Sequence, residues 1–138
     1  MDMLDKIAKH FEFQQKSLNL RAYRAEVLAS NLANDDTPNY KAVDFDFGQA
    51  LSAAQSQQGG TLAMVRTSAA HLDGAAGTAS DKPNLAYRNS VQPSLDGNSV
   101  DMDVERAAFT DNSLRYQSTL TFLNRRITGL ADAIKGGQ

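Results

Sequence analysis

The chain has 138 residues, 41% of them hydrophobic and 7% aromatic, with a formal net charge of −2 and no cysteine. That is one domain's worth of chain with a modest endowment for a core. It excludes disulfides and thiolate sites, and a pI near 5.6 argues against nucleic acid or anionic lipid as the main partner. No apolar run approaches the length of a transmembrane span, and the amino end lacks the apolar core of a cleaved signal peptide.

The first predicted element is a helix over residues 2–33. Leu4, Phe11, Leu18, Ala25 and Leu32 recur every seven residues, and Ile7 and Leu28 occupy a companion column that Gln14 and Arg21 interrupt. Small residues, Ala8, Ala22 and Ala29, flank this stripe, so a partner helix could approach closely there. Asp2 is placed to cap the start, and Asp5 suits the positive end of the helix dipole. The stretch Ser30 to Lys41 stops the helix. Asn34 reads as a left-handed terminator, Pro38 drives Thr37 toward an extended conformation, and Asn39 is expected at positive φ.

Beyond this joint, Val43, Phe45 and Phe47 alternate with Asp44 and Asp46, the pattern of a short half-buried strand with its carboxylates on the solvated side. Residues 48–84 hold five of the nine glycines and no aromatic residue, which predicts a flexible segment. Thr61 to Arg66 and Leu85 to Arg88 are weaker strand candidates. Asp96 to Asp101 resembles a calcium loop only superficially, because Val100 stands at a ligand position and the glycine is out of place; a turn followed by a helix cap fits better.

The last predicted element is a helix over residues 102–135, capped by Asp101 and stopped at Lys135 and Gly136. Phe109, Ser113, Tyr116, Leu120, Leu123, Ile127, Leu130 and Ile134 alternate four and three apart, and only Ser113 breaks the apolar column. Gly129 lowers helix propensity and would permit close approach of a neighbour, or is simply tolerated near a fraying end. At 1.5 Å per residue the two terminal helices would span about 48 and about 51 Å. Either alone is marginal in water, so each needs a partner. The fold class is therefore mainly α: two long terminal helices pairing as an antiparallel coiled-coil hairpin, divided as 1–34, an irregular middle with short β segments at 35–100, and 101–138.

Catalytic and metal chemistry is absent from the pattern. His10 and His71 have no ligand spacing around them, Asp44 and Asp46 have no walls for a dry pocket, and neither an enzyme nor a cofactor is expected.

Asn31-Leu32-Ala33-Asn34 followed by Thr37-Pro38-Asn39-Tyr40-Lys41 resembles the amino-terminal signature of bacterial flagellar rod and hook proteins, Asn-(Leu/Ile)-Ala-Asn with Thr-Pro-Gly-Tyr after it. It departs at Asn39, where the family usually has Gly, and at Asp35 and Asp36. Tyr87-Arg88-Asn89, the run from Gln92 to Asp103, and Leu114 to Gln117 are similar to the approach to the last helix in proximal rod members. The resemblance implies a structural subunit of the basal-body rod, exported by the flagellar type III apparatus without a cleaved signal. It also implies a homo-oligomer assembled in the periplasm against other rod proteins, the basal-body ring and the export gate, transmitting torque, with no membrane insertion. Phe47 and Leu51 have the form of the short motif read by the export gate in similar substrates, or form a small packing cluster. A different class, a cytosolic helical-hairpin adaptor or type III secretion chaperone, would use the same apolar stripes to bind client helices.

Overall fold

A computed structural model describes residues 2–56, 82–90 and 94–136. Its elements are α1 (Met3–Ala33), β1 (Val43–Asp44), α2 (Phe47–Ser56), β2 (Ala86–Tyr87) and α3 (Met102–Lys135). The chain is thus mainly helical with one small antiparallel sheet, in which Val43 pairs with Tyr87 and Asp44 with Ala86. The two long helices end within a residue of the positions that their periodicity and caps predict. Successive contacts join rising positions on α1 to falling positions on α3: His10 meets Phe122, Arg21 meets Asn112 and Asn31 meets Glu105.

The helix ends differ in detail from expectation. Asp101 caps α3 with its side chain, accepting from the N–H groups of Asp103 (3.1 Å) and Val104 (3.3 Å). Asp2 occupies the cap position of α1 in an extended conformation, but its side chain makes no capping hydrogen bond. Asn34 ends α1 at φ −107°, not in the left-handed region. Its side chain does the terminating, donating to the Ser30 carbonyl at 2.7 Å and accepting from the Thr37 hydroxyl at 3.1 Å. The left-handed turn falls at Asn39, with φ 61°.

The middle contains an unpredicted helix. Asp46 starts α2 by accepting the Gln49 N–H at 3.0 Å, and Ala50, Ala53 and Ala54 then favour helix over extended chain. The expected strand shortens to Val43–Asp44 as a result, and its partner is Ala86–Tyr87. The rest of the glycine-rich stretch, with Thr61 to Arg66 and His71, lies outside the described residues.

Buried apolar side chains gather toward the joint: Leu20, Val27 and Leu28 from α1, with Ala42 and Phe45 on either side of β1. Tyr23 stacks on Phe45 with ring centroids 5.7 Å apart. Among the described residues, no helix is long and apolar enough to cross a membrane.

Candidate functional site

The joint is built around the side chain of Asn31, which is completely buried. Its Nδ2 donates to the Val43 carbonyl (2.7 Å) and to Glu105 Oε2 (3.1 Å), while its Oδ1 accepts from the Val43 N–H (3.1 Å) and the Tyr40 hydroxyl (3.3 Å). A primary amide has two N–H donors and one carbonyl acceptor, and all are occupied here. The side chain thereby serves Val43 as a neighbouring strand would, pinning the returning chain against α1.

Below it lies a charged cluster. Asp44 receives a two-pronged contact from Arg24, Nε to Oδ1 at 3.1 Å and Nη2 to Oδ2 at 2.9 Å, and a further one from Arg88 Nη2. Arg88 also donates through Nη1 to Glu105, whose side chain is 1% exposed, and through its backbone N–H to the Ala42 carbonyl at 2.8 Å. Two cations and two carboxylates therefore balance in charge, and Arg88 links β2 to both β1 and α3. Burial opposes the charge on Asp44, but hydrogen bonds from Arg24, the Phe45 N–H and Arg88 outweigh it and hold the carboxyl below its usual range. Arg24 is shifted up, chiefly by its hydrogen bond to Asp44. The expectation that Asp44 faces solvent is corrected: its alternation with Phe45 is real, but arginines cover the polar side.

A second clamp holds the joint from outside. Asn98, 5% exposed, directs Nδ2 at the carbonyls of Asn34 (2.9 Å), Asp35 (2.7 Å) and Thr37 (2.9 Å). The Asn39 N–H bonds to the Asp96 carbonyl at 3.0 Å, the Ser99 N–H to the Tyr40 carbonyl at 3.0 Å, and Lys41 Nζ to the Gly97 carbonyl at 2.5 Å. The run from Ser94 to Ser99 is thus a turn that grips the joint and leads into the α3 cap.

Of the other motif residues, Tyr40 is half-buried, and Thr37, Pro38 and Asn39 are exposed at the corner. Along the helices, Leu28 is fully buried, and Ile7, Phe11, Leu18, Leu32, Phe109, Tyr116 and Leu123 are half-buried. Leu4, Leu120, Ile127, Leu130 and Ile134 are exposed, Leu4 at 71% and Ile134 at 84%. The covered faces also carry polar residues: Ser17, Arg21 and Asn31 on α1, beside Leu20 and Val27, and Glu105 and Asn112 on α3. Asn112 Nδ2 donates to the Arg21 carbonyl at 2.9 Å, and its Oδ1 accepts from Arg21 Nη1 at 3.4 Å. Phe47 and Leu51 are half-buried, with the Arg21 guanidinium 3.9 Å over the Phe47 ring. His10 packs edge-on against Phe122, and a Cβ added at Gly129 would meet nothing within 4 Å.

The partnerships of Arg24, Asp44, Arg88, Asn98, Glu105 and Asn112 are not predicted from the sequence, although Asp44 reads there as a solvated carboxylate and Arg88 and Asn98 lie within the strings that carry the resemblance. A signal existed in the sevenfold spacing of Ser17, Arg24 and Asn31 and of Glu105 and Asn112, polar columns beside the apolar ones.

Two long helices in contact, a polar joint carrying the Asn-Leu-Ala-Asn string, and apolar residues left outside are the architecture of a helical structural subunit. The model of the family described as flagella basal body rod protein matches residues 11–41, which include the second half of α1 and the whole joint. Over nearly its full length the chain is 46% identical to the flagellar basal body rod protein FlgB of Salmonella typhimurium, covering 98% of this chain and 99% of that one. It is 47% identical to FlgB of Escherichia coli (98% and 99%) and 50% identical to FlgB of Aeromonas hydrophila (94% and 96%). The chain therefore belongs to the FlgB family of flagellar basal body rod proteins.

Proposed function

We propose that this protein is a structural subunit of the proximal rod of the bacterial flagellar basal body, with no catalytic role. In this reading α1 and α3 form an antiparallel coiled-coil hairpin that packs beside like hairpins and beside other rod proteins, the basal-body ring and the export gate. The subunit leaves the cytosol through the flagellar type III apparatus without a cleaved signal, orders at the growing tip in the periplasm, and passes torque along the rod. Phe47 and Leu51, one helical turn apart, would be read by the export gate while the chain is extended.

One observation carries the assembly reading. Within the single chain the covered side chains, apolar and polar together, lie between Ser17 and Phe45 and at Asn98, Glu105 and Asn112, whereas Leu4, Leu120, Ile127, Leu130 and Ile134 stay exposed toward the far end. Exposed apolar side chains aligned on paired helices mark a surface that other chains cover. Their burial on joining the tip favours the ordered subunit by mass action, coupling folding to assembly.

The test is a density map of purified basal bodies from a strain carrying a tagged copy of this chain. Density for α1 and α3 inside the proximal rod, with Ile127 and Ile134 against neighbouring subunits, is the expected result. Recovery of the chain only in the soluble fraction, bound to client proteins, would replace the rod reading with that of an adaptor.

A further inference from the structure

Arg21 is 9% exposed, yet its guanidinium contacts no carboxylate among the described residues. One nitrogen, Nη1, bonds to a neutral amide oxygen of Asn112 at 3.4 Å, one face lies on the Phe47 ring, and Nε is shielded from solvent without an acceptor among the described residues. An ionised group in that state carries an uncompensated desolvation cost. Its surroundings add to that cost. Burial, then the positive charges of Arg115 and Arg24, lower the Arg21 pKa, and Asp111 opposes this from a position where Arg115 already holds it at 3.0 Å.

The residue is not sealed in. It lines an open groove of about 340 Å³ between α1 and α3, whose other walls include Ala22, Ala25, Asn112, Ser113 and Tyr116. The small side chains on the α1 wall leave room for a residue from an adjacent helix. A groove whose charged lining residue is a cation without a paired carboxylate among the described residues fits an acidic side chain.

We propose that this groove receives a carboxylate, an Asp or Glu side chain on a helix of a neighbouring rod subunit, which pairs with Arg21 and completes its hydrogen bonding. The inference rests on the rod-subunit reading and specifies the chemistry of one contact within it. A single chain would then bear the cost of burying Arg21, and the assembled rod would recover it. The pairing would also select for neighbours with an acid at that point, since an apolar or basic residue there leaves the cation unpaired.

The experiment separates subunit stability from assembly. Arg21→Gln keeps a donor for Asn112 and removes the charge. The purified Arg21→Gln monomer is expected to unfold at a urea midpoint no lower than wild type, while its recovery in basal bodies falls at least about tenfold, as expected when one partner of a buried charge pair is lost. Arg21→Lys, which retains the charge, is expected to recover part of the assembly. In cells, Arg21→Glu is expected to abolish motility, and selection for restored swimming should yield changes of an acidic residue to a neutral or basic one in a rod subunit. Normal incorporation of Arg21→Gln overturns the proposal, as does a loss of assembly matched by an equal loss of folded monomer. Suppressors confined to the residues that touch Arg21 in this chain, Phe47 and Asn112, also overturn it. If the wild-type chain is itself missing from basal bodies, the rod reading fails; if it is present and Arg21→Gln is equally so, only this contact fails.

Discussion

Asn39 and Gly97 face each other across the joint so closely that a Cβ built on Gly97 would lie 2.5 Å from Asn39 Oδ1. Both residues have positive φ, 61° and 77°. The two left-handed turns are thus fitted to one another, one ending the departure from α1 and the other beginning the approach to α3. Gly97→Ala combines a collision with an unfavourable backbone, so it should destabilise the monomer by about 1–3 kcal/mol. Asn39→Gly should be neutral or stabilising by up to about 1 kcal/mol, because glycine adopts positive φ freely. With the Asn39 side chain gone, Gly97→Ala should cost less, and a double-mutant cycle in urea would measure the coupling.

Glu105 and Arg88 join α3 to β2 where almost no solvent reaches the carboxylate. Glu105→Ala leaves the cation short of a partner and the Asn31 amide with a vacant donor. The expected loss is about 3–5 kcal/mol, the range for breaking a buried pair. Replacing both Arg88 and Glu105 with apolar residues of similar size should cost less than Glu105→Ala alone, read as denaturation midpoints of the three variants.

Asp44 sets the acid sensitivity of the joint. Its folded-state pKa lies below the ordinary value because its arginine and backbone hydrogen bonds outweigh burial. The unfolded carboxyl, titrating at about 3.9, takes up a proton first as pH drops. The stabilisation is therefore complete above about pH 5 and is lost as pH falls through the lower folded value. Urea midpoints of wild type should decline below about pH 4, and Asp44→Asn should start lower at pH 7 and decline less steeply.

Ile134 is 84% exposed, so charge there asks little of the single chain. Ile134→Asp should shift monomer stability by no more than about 0.5 kcal/mol. If neighbouring subunits cover this end, the same change should stop rod assembly and swimming. Circular dichroism with urea checks the first expectation, and basal-body purification checks the second.

The helix limits were legible because they depend on local chemistry: periodicity, the Asp101 cap and the turn residues that follow Leu32. The positive φ of Asn39 was legible for the same reason. What escaped is long-range. Asp44 meets Arg88 at a separation of 44 residues, and Asn31 meets Glu105 at 74, distances at which no spacing rule speaks. Periodicity also identified the apolar columns, whereas the single chain covers Leu28 of those columns together with polar residues at Ser17, Arg21, Asn31, Glu105 and Asn112. The apolar column reports where a helix can be covered, not which chain covers it. The α2 helix was missed because ten residues rich in Ala and Ser give a weak signal beside the glycines that follow.

The Asn98 clamp has a consequence in time. It closes on carbonyls 61 to 64 residues earlier in the chain, so the corner at Asn34 to Thr37 cannot lock until residue 98 has emerged beside it. A polypeptide that appears amino end first, from a ribosome or from any narrow conduit, must keep this bend unfastened for most of its passage. The residues that identify the family are therefore made well before the clamp that fixes them.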